Sequence, residues 1–139
     1  MIAMKNFLLS TALMLMIVST ADAAEIELGT SEMYSPSERN AAIKKILIEF
    51  KEWTGCELHS LRFFGDQCNS PENIRWMNAL GEARGFTRKF SECIEFVSDF
   101  HSPKDAYGAW EADSEYEGWQ WWLARVDRND EWHLLTWGY

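Results

Sequence analysis

Trp119-Gln120-Trp121-Trp122-Leu123-Ala124-Arg125-Val126, then Asp127-Arg128-Asn129-Asp130, then Glu131-Trp132-His133-Leu134-Leu135-Thr136-Trp137-Gly138-Tyr139 close the chain. Two aromatic-rich runs flank four polar, turn-forming residues, which is the pattern of a β-hairpin. In the first run Trp119, Trp121 and Leu123 share one face, and Trp122, Ala124 and Val126 share the other. Both faces are therefore apolar. One must meet helices. The other is left for the lead-in segment, the long strand wrapping round, a ligand or a second subunit, because large exposed apolar patches are uncommon on monomers. In the last run, period two sets His133, Leu135, Trp137 and Tyr139 on one face.

Upstream of the hairpin the same period continues. Phe90, Ile94, Phe96 and Phe100 fall mostly on one parity, with Ser91, Cys93, Glu95, Val97 and Asp99 on the other, predicting a long half-buried strand. His101 to Lys104 reads as a loop broken by Pro103, and Tyr107 to Trp110 as a short strand. Glu111, Asp113, Glu115 and Glu117 alternate like oxygen ligands, but the run lacks the glycine and terminal glutamate of a calcium loop and reads as a solvated stretch.

Before residue 86 the period is helical. Ser35-Pro36-Ser37-Glu38 is a capping box with proline at the first helical position. Ile43, Ile46, Leu47, Phe50 and Trp53 follow on one stripe, and Gly55 stands where a helix commonly ends. Ser70-Pro71-Glu72 opens a second helix with Ile74, Met77 and Leu80 on its buried edge, ending toward Gly81 and Gly85. Between the helices, Cys56 to Cys68 reads as a packed loop holding Leu58, Leu61, Phe63 and Phe64. Helices first and an antiparallel meander afterwards make an α+β domain, with N-terminal helices held in the concave side of a curved antiparallel sheet.

The first residues carry a different message. Lys5 gives a basic start, Phe7 to Val18 is a largely apolar, uncharged run of 12 residues, and Ala21-Asp22-Ala23 supplies small residues at alternate positions. That is a signal peptide over 1–23; the run is too short to cross a bilayer core, which takes about 20 residues. The expected working form is periplasmic or secreted: an extended lead-in over 24–34 and one domain over 35–139. Its one basic and one acidic residue cancel in the leader, so the exported part keeps the whole charge of −9. Such a field repels phosphate, arguing against nucleic acid and an anionic membrane as partners, and favours a basic protein or a cation; it also serves plain solubility.

Export bears on the three cysteines, 56, 68 and 93. An oxidising compartment favours one disulfide and leaves one thiol over. Of the three pairings the loop favours Cys56–Cys68, both flanking a short connection between helices, with Cys93 an inert thiol in a strand. No Cys and His stand at zinc spacing, so neither a metal nor a cofactor is implied.

The terminal runs Trp119 to Arg125 and Glu131 to Tyr139 are similar to the last two strands of small exported members of the NTF2-like superfamily, where a W-x-L-x-x-W-G strand often closes the domain. The resemblance extends from about Ser35 to Tyr139 and implies a cone-shaped α+β fold with a cavity. It settles no role, since that fold hosts enzymes, binding modules and assembly domains. The isomerase-like members use a tyrosine and two aspartates in the cavity; no matching trio aligns here, and no catalytic residue is carried over.

Candidate binding residues are Asp99, Tyr107, Trp110, Trp121, His133 and Trp137. His133 beside aromatics suits a general base near neutral pH, though a histidine there more often has a structural role, and His101 beside Asp99 is similar. Glu95 and Asp99 near tryptophans have the chemistry of a glycosidase pair, without a fixed separation. The expected function is that of a non-catalytic domain binding a small ligand, a protein partner or a second copy of itself through the cavity or the aromatic sheet face. The alternatives are an acidic inhibitor or immunity-type protein of a basic secreted enzyme, and a small-molecule enzyme working in the cavity.

Overall fold

A computed structural model describes residues 23–105 and 110–139. The expected leader, apart from Ala23, and the short strand at Tyr107, apart from Trp110, lie outside those residues. The elements are β1 (Glu25–Glu27), α1 (Pro36–Lys51), β2 (Glu57–Phe63), a 3-10 turn (Asp66–Cys68), α2 (Pro71–Ala83), β3 (Glu92–His101), β4 (Glu115–Arg125) and β5 (His133–Gly138). They form one five-stranded sheet in chain order, with two helices packed against it. The class is α+β. No helix among the described residues is long and apolar enough to cross a membrane.

Local chemistry sets the helix starts. Ser35 Oγ accepts the amide of Glu38 while the Glu38 carboxylate accepts the amide of Ser35, the full capping box. Ser70 Oγ accepts the amide of Asn73 and caps α2. Helix α1 buries Arg39, Ala42, Ile43, Ile46 and Phe50. Leu47, expected on that stripe, is 38% exposed, because the buried stripe runs through those residues and leaves Leu47 at its edge. Of the two glycines expected to end α2, Gly81 lies inside it, where the Phe90 ring comes close to its backbone, and Gly85, at φ 88, follows the C-cap Arg84.

The sheet is mixed, not purely antiparallel. The lead-in contributes β1, which pairs parallel to β2 through Ile26↔Leu61, with α1 as the crossover. The other pairings are antiparallel. The expected Cys56–Cys68 loop is therefore mostly strand β2, whose Leu61 and Phe63 are core.

The two helices lie on opposite faces, not together on one concave side. On the α1 side Ile43, Ile46 and Phe50 pack with Leu61, Phe63, Ile94, Phe96, Phe100, Trp121 and Leu123. On the α2 side Met77 packs with Cys68, Phe90, Cys93, Trp122, Ala124 and Leu135. Strand β3 is thus buried on both faces rather than one. The second apolar face of the terminal hairpin is covered from within the chain, by α2.

This division also corrects the disulfide. Cys56 packs with the α1-side cluster and Cys68 sits in the α2-side cluster, with the sheet between them. All three cysteines are free thiols. The expected Cys56–Cys68 bond fails because its intervening residues form a strand that separates the faces.

Candidate functional site

The aromatic residues gather where α1 ends. The helix stops at Lys51, and Gly55, at φ 82, turns the chain back toward β2. Trp53 falls in that turn, over the sheet. Its ring stacks on Trp121 at 4.9 Å and 22°, meets Trp110 at 4.9 Å and 48°, and stands edge-on to Trp119 and Trp137 at 6.1 and 5.8 Å. Beside it, Phe100 and Tyr116 stack at 5.0 Å and 5°, and Trp119 meets Tyr139 at 5.1 Å. Offset and edge contacts of this kind add to the apolar burial of each ring.

A bulge makes the array possible. Trp119 pairs with Ser98 and Tyr116 with Phe100, so Glu117 and Gly118 together face Asp99. Gly118 adopts φ 73, which suits glycine, and its amide donates to Asp99 Oδ1 at 2.9 Å. The extra residue brings Tyr116 onto the same face as Trp119 and Trp121. The deepest ring, Trp121, is fully buried and donates from Nε1 to Ser98 Oγ at 2.8 Å. Trp53 Nε1 donates to Glu49 at 3.2 Å. Among the described residues, Trp119 Nε1 is the one buried side-chain N or O atom without a hydrogen-bond partner.

At the outer edge of the array is a cavity of about 450 Å³. Trp53, Trp110 and Pro103 give it apolar walls, and Glu52, Lys104 and Asp105 give it charged ones. Gly55 permits the close approach, since a Cβ there would come within 2.8 Å of Pro103 Cβ. Among the described residues the walls contain neither cysteine nor histidine. The walls set apolar ring surface beside charged groups, an arrangement suited to binding a flat apolar group with polar edges.

Of the residues singled out from the sequence, Trp110, Trp121 and Trp137 come together here, with Trp110 in the cavity wall and Trp137 half-exposed beside Trp121. Tyr107 lies outside the described residues. Asp99 does not join them: it faces the other side of the sheet, where Oδ2 also accepts from Ser60 Oγ at 3.3 Å. His133 does not either. A second bulge sets Trp122 opposite Thr136 but Leu123 opposite Leu134, leaving Leu135 extra. The slip separates His133 from Trp137: its ring packs against Phe86 and Phe90, and its Nε2 lies 3.1 Å from Asp130. Glu95 and Asp99 have different settings: Asp99 accepts from Ser60 and Gly118, while Glu95 is buried without a side-chain hydrogen bond among the described residues.

Two further groups were not legible in the sequence. His59 and His101 stack at 6.3 Å on the face opposite the aromatic array, bridged by Glu115 at 2.9 and 3.0 Å, with Asp113 at 2.7 Å from His101 Nε2. Hydrogen bonds donated to Asp113 and then Glu115 raise the His101 pKa above its ordinary value. The acidic alternation Asp113–Glu115 is thus engaged by histidine, and among the described residues no three such groups converge to hold a metal ion. Glu95 is 4% exposed on the α2 side, and burial pushes its pKa up to about 7. Trp53, read as one more core residue of α1, is the centre of the array because it lies just past the helix end.

Comparison with family models, with curated proteins and with solved structures finds no match to the chain.

Proposed function

We propose that this chain is a non-catalytic binding module whose cavity at the end of α1 takes a small ligand with a flat apolar face and polar edges. The observation that carries the reading is the cavity itself: Trp53 and Trp110 walls over a tryptophan bed, with Glu52, Lys104 and Asp105 at the rim. Indole rings give apolar area at little conformational cost, and a few charged groups set orientation. The working form acts outside the cytoplasm, after loss of residues 1–23. The NTF2-like kinship drawn from the terminal strands agrees with this at the level of an α+β domain. A cavity beside one helix end, with helices on opposite sheet faces, departs from a cone filled from one side.

The test uses the tryptophan emission of the mature protein, titrated with a panel of soluble oligosaccharides and planar aromatic compounds. A saturable change, lost in Trp110→Ala and retained in His133→Ala, supports the module. No change with any compound, together with a bare mass in native mass spectrometry of protein from its own source, counts against it.

A further inference from the structure

We propose that Cys68 and Cys93 form a disulfide that ties the turn before α2 to the start of β3. The proposal rests on the reading that the chain works in an oxidising compartment. The two residues already face each other across the α2 side of the sheet. Cys93 Sγ lies 3.1 Å from the Cys68 carbonyl oxygen, and Cys68 Sγ lies 3.9 Å from that of Cys93. The closeness of the two thiols lowers the pKa of Cys68 and raises that of Cys93. Both backbones are pinned from outside the pair. Asn73 Nδ2 donates to the Cys68 carbonyl at 2.7 Å, Asn69 Oδ1 accepts the Cys93 amide at 3.0 Å, and Tyr34 Oη donates to the Cys93 carbonyl at 2.8 Å. Closing the bond turns both thiols out of their present hydrogen bonds, Cys68 Sγ to the Gly65 carbonyl at 3.0 Å and Cys93 Sγ to the Cys68 carbonyl at 3.1 Å, since the two sulfurs do not yet stand at bonding distance. Cys56, on the opposite sheet face, stays a thiol.

The surroundings suit the product. Both sulfurs are buried with Met77, Trp122 and Ala124. Glu95 opposes negative charge on either of them. A disulfide has neither charge nor donor, so it removes what that site tolerates least.

The oxidant is a small-molecule disulfide such as glutathione disulfide, meeting the chain before the core closes. The Cys68 thiolate attacks one sulfur of the oxidant and expels a glutathione thiolate, leaving a mixed disulfide. The Cys93 thiolate then attacks Cys68 Sγ and expels the second glutathione thiolate. The protons lost by the two cysteines end on the two glutathiones, which carry away the electron pair.

Mature protein unfolded and refolded in glutathione buffers of rising oxidation is alkylated in denaturant without reduction, then digested and weighed. The expected result is an alkylated Cys56 and a linked pair of peptides holding Cys68 and Cys93, lighter by two hydrogens, also in Cys56→Ser. Reduction should lower the melting temperature by roughly 10 °C and leave a Cys68→Ser/Cys93→Ser double variant unmoved. Alkylation of both Cys68 and Cys93 in the most oxidising buffer, or a link through Cys56, overturns the proposal. A pair that closes in buffer but is recovered as a dithiol from cells making the full chain upholds the site and overturns export.

Discussion

Glu95 shows what one side chain does when its partners are absent. It points to the α2 side of β3 beside Cys93 and Val97, and burial alone lifts its pKa from the ordinary 4.5 to about 7. The neutral acid fits that place better than the carboxylate. Stability held by the protonated form is fully present below the ordinary value and is lost as pH rises through about 7. Glu95→Gln should remove that loss: urea midpoints at about pH 5 and about pH 8 should lie closer together than in the parent. An unchanged pH dependence would show that another group sets it. Arg125 is the opposite case. Buried at 3% exposure, it binds Glu92 at 2.9 Å through Nε and Glu38 through Nη2, over the Trp132 ring at 4.3 Å. Arg125→Met should cost about 3–5 kcal/mol in denaturant unfolding, because Glu92 loses its buried partner and Glu38 keeps only the exposed Arg128. Adding Glu38→Gln and Glu92→Gln should recover most of it. Neither role was legible in the sequence, where Glu95 read as one of a possible carboxylate pair and Arg125 as part of the hairpin alone. Arg39 is buried because its guanidinium reaches the carbonyls of Leu28 and Gly29, a partnership periodicity cannot express.

Helices and strands differed in how far they could be read ahead of the structure. Both helix starts were legible because a cap is a local bond, Ser35 to Glu38 and Ser70 to Asn73. Strand faces were not, because bulges break period two. On β2, Leu58 pairs with Phe100 and Ser60 with Asp99, leaving His59 extra. Leu58, Leu61 and Phe63 therefore lie on one side at spacings of three and two, and the strand read as a loop. The same device on β5 moved His133 away from Trp137. Gly81 tests an element contact directly. Alanine there gains about 1 kcal/mol of helix propensity, but its Cβ would meet Phe90 Cε2 at 2.5 Å. Overpacking of that kind costs about 1–3 kcal/mol, so Gly81→Ala should lower the melting temperature. A rise would mean that Phe90 yields freely.

For the whole molecule, sharing the sheet faces between two helices decides what is left to bind. The α2 side is taken along β3 and β4, and the α1 side is taken up to Phe50, so the half-buried aromatic surface of Trp53 and Trp110 falls past the end of α1. The terminal aromatic runs that resembled the NTF2-like strands supply the bed under that surface, while Trp53 and Trp110 come from elsewhere in the chain. Stability and binding should therefore separate by depth in the array. Trp121 is fully buried and anchored to Ser98, so Trp121→Ala should cost about 3–5 kcal/mol and lower binding only through unfolding. Trp110 stands in the cavity wall, so Trp110→Ala should abolish ligand-dependent change in tryptophan emission while leaving a cooperative melt. Glu52→Gln and Lys104→Ala, at the rim, should weaken binding with a salt dependence unlike the parent's and leave the melt unmoved. Equal losses of binding and stability across all four variants would mean that the array is core alone, with the cavity an incidental gap beside it.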